Sequence, residues 1–263
     1  MKLELNRLTH KFAGIAGQPF VALEDVSIGV PSGHFLSLIG PSGCGKSTIF
    51  NIIAGLLAPS DGAVLIDGED VTGSIGTVGY MLQKDLLLPW RTVLDNVVLG
   101  MELRGVPMRE ARERALPLLR RYGLEGFERQ YPHALSGGMR QRAALLRTLL
   151  YDTEIILLDE PFGALDAQTR AVMQEWLLGL WSDFGKTVVF VTHDVEEAVY
   201  LSDEIIVLSS RPGRVKARLT VDLPRPRGRD IALNANFITL RERCVELLRG
   251  EGVGAAVDAV GAA

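Results

Sequence analysis

Gly40-Pro41-Ser42-Gly43-Cys44-Gly45-Lys46-Ser47 fits the pattern of a glycine, four residues, then Gly-Lys-Ser, which is the chemistry of phosphate binding. The glycines let the chain wrap with its N–H groups pointing inward, and a helix starting at Lys46, through Ser47 and Thr48, adds positive potential. In that arrangement Lys46 reaches the β- and γ-phosphates of a nucleotide and the Ser47 hydroxyl binds Mg²⁺. A glycine-rich structural turn would have no need of Gly-Lys-Ser at a helix entrance.

A second group lies far along the chain, where Ile155-Ile156-Leu157-Leu158 is followed by Asp159-Glu160. A buried strand ending in two carboxylates suits metal-assisted hydrolysis. Asp159 would hold the Mg²⁺ shell, and Glu160, one residue further, could polarise the attacking water as a general base. These two motifs define a nucleotide hydrolase and no more. A third, Leu135-Ser136-Gly137-Gly138, opens a helical stretch, with the Ser136 side chain and free backbone N–H groups making another anion site.

The elements that must position these residues follow from the apolar spacing. Residues 3–8 and 22–30 read as strands, and 35–39 is an apolar strand running into the glycine loop. A helix is expected over 46–57, a hairpin-like return at 62–68 and a strand over 77–83. Spacings of three and four dominate from 93 to 150, most plainly at 110–122 and 138–151. Apolar strands at 155–158, 187–192 and 205–208 alternate with a helical stretch at 166–184. Strand, phosphate loop, helix and further buried strands indicate an α/β fold with a mostly parallel core sheet. Leu223-Pro224-Arg225-Pro226-Arg227-Gly228 reads as a linker, 235–249 as a helix, and the Ala/Gly-rich end as a disordered tail.

Composition narrows the function. A formal net charge of −4 gives no bulk attraction to nucleic acid. Two cysteines, Cys44 and Cys244, make no disulfide framework and fit a reducing compartment. The start of the chain lacks the apolar stretch of a signal peptide, and the apolar runs fall far short of the ~20 residues a membrane helix needs. The expectation is a cytoplasmic protein whose membrane role, if any, comes through a partner.

Taken in order, these motifs resemble those of the ATP-binding-cassette (ABC) ATPases over roughly residues 3–225, in which Leu-Ser-Gly-Gly is the signature motif. The resemblance implies the P-loop ABC fold, with an antiparallel β subdomain and a helical signature subdomain. It implies a domain over 1–225 with a helical lobe at about 93–150, a C-terminal helical extension at 226–250 and a tail at 251–263. It also implies a homodimer that sandwiches two ATP molecules with Mg²⁺. Ser136, Gly137 and Gly138 would contact the γ-phosphate of the ATP held by the opposite subunit. Gln83 matches the glutamine loop that senses Mg²⁺ and the water, and His193, in Val191-Thr192-His193-Asp194, matches the switch histidine. Gly163-Ala164-Leu165-Asp166 looks like the dimer-contacting loop, with Gly163 where serine is frequent. Phe12 sits where the family places an adenine-stacking aromatic, commonly tyrosine, though it could equally be core.

There is one cassette and no heptad-bearing insertion between Ser47 and Leu135, which disfavours the DNA-repair and translation-associated relatives. The run from Lys84 to Val97, which contains Leu86-Leu87-Leu88-Pro89-Trp90, resembles the nitrate, sulfonate and taurine importer cassettes, as does Leu208-Ser209-Ser210-Arg211-Pro212-Gly213-Arg214. The resemblance therefore implies an importer ATPase on the inner face of the membrane, powering uptake of a small anion such as nitrate, a sulfonate or taurine through a separate permease fed by a binding protein. The alternative is a non-transport regulatory ABC ATPase. Leu87, Leu88, Pro89 and Trp90 are expected to line the groove for a permease helix, with Trp90 as lobe core the competing reading.

Overall fold

The computed structural model describes residues 1–14 and 18–249, so the tail expected after residue 250 lies outside the described residues. The chain forms two compact units, Met1–Gly76 with the segment from Ser182 onward, and Thr77–Trp181.

The first unit contains two sheets. Strands β1 (Leu3–Phe12) and β2 (Phe20–Val30) pair antiparallel, and β1 also pairs antiparallel with β4 (Asp61–Ile66), which the short β5 (Glu69–Asp70) extends. Apolar side chains of β1 are buried at Leu3, Leu5 and Leu8 while Asn6, Arg7 and Lys11 are exposed, although His10 is buried as well. The other sheet places β3 (Phe35–Ile39) between two parallel neighbours, β8 (Thr187–Val191) and β9 (Glu204–Leu208). Every residue of β3 and β8 is buried, the signature of parallel strands covered on both faces.

Strand β10 (Val215–Thr220) pairs antiparallel with β9 and has no counterpart among the strands expected from the sequence, although its alternation of half-buried and exposed residues is that of an edge strand. The helix after the phosphate loop, α1 (Lys46–Ile53), is shorter than the spacing predicts. Its chain turns off at Gly55, whose φ of +73° is a conformation that favours glycine and where a Cβ would fall 2.3 Å from the Ser74 carbonyl oxygen.

The expected linker at 223–228 is a tethered segment. Arg227 is 6% exposed, and its guanidinium donates to the carbonyls of Tyr200 at 2.9 Å, Ser202 at 2.7 Å and Val199 at 3.3 Å. These carbonyls lie at the end of helix α7 (Val195–Leu201), so a side chain distant in sequence caps it. Arg225 donates to the Leu201 carbonyl and to Asp203, and the Tyr200 hydroxyl donates back to the Arg227 carbonyl at 3.0 Å. Burial pushes the Arg227 guanidinium down to about 10, still charged at neutral pH. Helix α8 (Ala235–Arg249) follows, with Phe237 and Cys244 buried. Arg227→Ala should therefore orphan several buried carbonyls and cost about 3 kcal/mol, lowering the melting temperature by roughly 6–12 °C in calorimetry.

In the second unit, β6 (Gly79–Met81) and the fully buried β7 (Ile155–Asp159) pair parallel, with Tyr80 opposite Leu157. Helices α2 (Val93–Val97), α3 (Leu99–Leu103), α4 (Met108–Arg121) and α5 (Gly137–Leu149) fall in the stretch where the three-and-four spacing predicts them, and α2 packs on both α4 and α5. Helix α6 (Ala167–Phe184) follows β7, where the helical stretch is expected. The strand expected over 77–83 is only three residues long, because Leu82 and Gln83 turn away exposed.

Candidate functional site

In the first unit the phosphate loop runs from Gly40 to Ser47 between β3 and α1. Gly45 has a φ of +101°, and a Cβ there would lie 2.4 Å from the Leu23 side chain, so the turn into α1 requires glycine. Having no side chain, Gly45 leaves the first-turn N–H groups of α1 without a side-chain cap, the condition under which a helix start takes an anion. Lys46 is buried and bends back over the loop. Its ammonium donates to the carbonyls of Gly40 at 2.8 Å and Pro41 at 3.0 Å and lies 3.6 Å from the Cys44 sulfur. Ser42, Gly43 and Ser47 are exposed, whereas Cys44 is buried beneath the loop.

His193 also belongs to this unit and is exposed, just past the end of β8. Its backbone is pinned on both sides. The Asp194 N–H donates to the Thr192 hydroxyl at 3.0 Å, and the Asp194 carboxylate caps α7 by accepting from the N–H groups of Glu196 and Glu197. The Thr192 hydroxyl also bonds the buried Glu197 carboxylate. Phe12, at the end of β1, is half-buried. It stacks on Phe20 at a centroid separation of 5.5 Å and meets the ring of His10 edge-on at 4.4 Å.

In the second unit, Asp159 ends β7 and is buried. The Tyr80 hydroxyl is held above its ordinary pKa first by burial, then by the Asp159 carboxylate, to which it donates a hydrogen bond. Tyr80 thus orients Asp159, a partnership that motif reading misses, because it arises only from the parallel register of β6 against β7. Glu160 follows at a φ of +45°, an uncommon and costly conformation for a residue with a side chain. The structure brings Gln83 to it, with the Gln83 amide donating to Glu160 Oε2 at 3.3 Å.

Ser136 is the N-cap of α5, its hydroxyl accepting from the Met139 N–H at 3.3 Å. Ser136 and Gly137 are exposed, while Gly138 is buried with the Thr169 methyl 3.0 Å from where a Cβ would stand. In the dimer-loop candidate, Asp166 caps α6 by accepting from the Thr169 N–H at 3.0 Å. The Thr169 side-chain hydrogen bond, and then that backbone bond, hold the Asp166 carboxyl below its usual range. Gly163 does not adopt a positive φ, and a Cβ there would make only ordinary contacts, so steric demand does not explain the glycine.

A phosphate loop opening into a helix, and a buried strand ending in paired carboxylates, are the parts of a P-loop nucleotide hydrolase. The sequence profile of the ABC transporter family matches residues 23–163. The chain is 48% identical over 251 residues to an uncharacterized ABC transporter ATP-binding protein of Methanocaldococcus jannaschii, covering 95% of this chain and 92% of that one. It is 44% identical over 251 residues to a taurine import ATP-binding protein of Rhizobium johnstonii, covering 94% and 96%. Among solved structures, a dimeric bacterial ABC transporter cassette superposes with a TM-score of 0.73 at 34% identity, over 86% of this chain and 99% of that one. A post-hydrolysis cassette dimer bound to ADP and phosphate gives 0.72 at 34% identity and the same coverage. This chain belongs to the ABC transporter family, has the ABC ATPase fold and is an ATP hydrolase.

Proposed function

We propose that the chain is the ATPase subunit of an importer for a small sulfonate of the taurine type, working as a homodimer beneath a separate membrane permease fed by a binding protein. No described helix is long and apolar enough to cross a membrane, which accords with a partner supplying the channel. The substrate class rests on relatives named for taurine import, among them one from Yersinia pestis at 47% identity over 80% of this chain.

On this reading the backbone from Gly40 to Gly45 wraps the phosphates, with Lys46 turning from the loop carbonyls to the β- and γ-phosphates and Thr48 beside them. Phe12 stacks on adenine. Ser47, Gln83 and Asp159 would hold a Mg²⁺ ion, which would supply neutralisation of charge on the phosphates. Their donors are hard oxygens suited to this ion. Among the described residues no group of three or more carboxylates, histidines or cysteines could bind a metal alone, so the ion is expected to arrive with the triphosphate. Glu160 takes the proton of the attacking water, Gln83 orients that water, and His193 contacts the γ-phosphate. Ser136, Gly137 and Gly138 close on the ATP of the opposite subunit.

The observation that carries the coupling to a permease is the apolar run after Gln83. Leu87 belongs to the core rather than to a groove, and Leu88 is half-buried, so the expected four-residue lining is reduced to Pro89 and Trp90. Trp90 is 72% exposed and Leu86 51%, which sets aside the reading of Trp90 as lobe core. The loop that presents them is firmly held. Buried Asn96 accepts from the Leu88 N–H at 2.7 Å and donates to the carbonyls of Leu88, Arg91 and Thr92. Arg147 donates to the carbonyls of Asp85 and Leu86, and Arg140 pairs with Asp85 at 3.3 Å. A rigidly mounted, exposed tryptophan suits a binding hot spot. Trp90→Ala should leave the isolated subunit's melting temperature and ATP binding unchanged while abolishing association with the permease and transport. A drop of several degrees in the lone subunit, with permease binding retained, would sink the coupling role.

A further inference from the structure

Between β9 and β10 the chain makes a tight loop, Ser209 to Arg214, that the catalytic reading leaves without a task. Ser209 closes it. Its N–H donates to the Arg214 carbonyl, its hydroxyl oxygen accepts from the Arg214 N–H, and that hydroxyl donates to the Pro212 carbonyl, all at 2.9 Å. Gly213 is wedged between β2 and the phosphate loop. Its N–H donates to the Ala22 carbonyl at 2.9 Å, its carbonyl accepts from Glu24 at 3.0 Å, and a Cβ there would fall 2.0 Å from the Cys44 carbonyl oxygen. Arg214 anchors the far side through Glu24 at 2.7 Å.

From this fixed loop Arg211 reaches two parts of the nucleotide site at once. Its guanidinium carbon stands 4.9 Å over the Phe20 ring, and its Nη2 donates to the Gly43 carbonyl at 3.4 Å. Phe20, itself 38% exposed, is the ring on which Phe12 stacks. The guanidinium therefore links the aromatic pair of the β1–β2 hairpin to the outer edge of the phosphate loop, within one compact unit. Arginine suits this task because its flat cation stacks on a ring while its edge donates, which an ammonium does poorly.

We infer that Arg211 is a positioning residue that sets the distance between the Phe12–Phe20 platform and the phosphate loop, so that one nucleotide engages both. This rests on the proposal that Phe12 stacks on the base. A ligand that uses only the phosphate loop gains nothing from that spacing, whereas a base-bearing triphosphate does. Arg211 is exposed, so its loss removes little stability.

The test is calorimetric titration of the full chain with two Mg²⁺-loaded probes, a non-hydrolysable ATP analogue and inorganic tripolyphosphate. In Arg211→Ala the analogue's dissociation constant should rise about three- to fivefold while that of tripolyphosphate moves less than about twofold, with the melting temperature held. Arg211→Lys should fall between wild type and Arg211→Ala. Equal weakening of both probes, a falling melting temperature, or no weakening at all would overturn the inference. Phe12→Ala separates the two levels. If it leaves the preference for the analogue over tripolyphosphate intact, the base-stacking reading fails and takes the inference with it. If it removes the preference while Arg211→Ala keeps it, only the inference fails.

Discussion

Glu160→Gln is expected to bind ATP normally and to hydrolyse it at least ~100-fold more slowly, the usual worth of a positioned base. The substitution keeps the volume and removes the negative charge, and with it the ability to accept a proton. Two features of the site argue that the carboxylate is held for this task. Its φ of +45°, directly after the end of β7, is a conformation that folding would avoid without compensation. The Gln83 amide meets Glu160 Oε2 at 3.3 Å, so the side chain most suited to orienting a water already touches the proposed base. A variant that binds but cannot hydrolyse should also accumulate as an ATP-bound dimer. Single-turnover phosphate release and size-exclusion chromatography with ATP measure the two effects. Near-wild-type turnover in the assembled transporter would remove Glu160 from the role.

What is legible in the sequence is whatever is encoded locally. The spacing from Gly40 to Ser47 dictates a wrapped loop because glycine at Gly45 alone permits its φ of +101° beside Leu23. The apolar run from Ile155 dictates a strand buried on both faces, which leaves Asp159 and Glu160 at its end. Ser136 reads as a helix cap and is one.

What is not legible depends on distant partners. Nothing near Arg227 announces that its guanidinium caps a helix ending at Leu201, so a proline- and arginine-rich segment reads as a linker. Tyr80 reads as one more strand aromatic until β6 lies parallel to β7 and sets its hydroxyl on Asp159. Leu87 and Trp90 look alike as members of an apolar run, but the Asn96 clamp fixes the loop so that one is buried and the other exposed. Strand β10 escapes notice for a different reason. Its alternation is present, but Lys216 and Arg218 on the open face weaken the apolar signal of an edge strand.

The second large effect concerns Lys46 and Ser136, expected to serve the same ATP from opposite subunits. Lys46 lies in the loop of one compact unit, where its ammonium is close to the carbonyls of Gly40 and Pro41 and ready to exchange them for phosphate oxygens. Ser136 lies in the other unit as the exposed N-cap of α5, beside a helix start whose potential favours an anion. Lys46→Ala should lose hydrolysis by removing the cation that meets the phosphates, and Ser136→Arg should lose it by filling that helix start with a long side chain. On the proposed reading, a two-fold dimer would make each site from the loop of one subunit and the signature of the other. A mixed dimer of the two variants then holds one site with both defects and one with neither. Random mixing gives mixed dimers half the time, so about a quarter of all sites are intact, and recovery should approach that fraction if the sites fire independently. If each chain supplied its own Lys46 and Ser136 to one ATP, every site would keep a defect and mixing would recover nothing. Steady-state phosphate release from the mixture, with mixed dimers verified by two affinity tags, decides between these arrangements. Verified mixed dimers that remain as inactive as either parent would overturn the shared site.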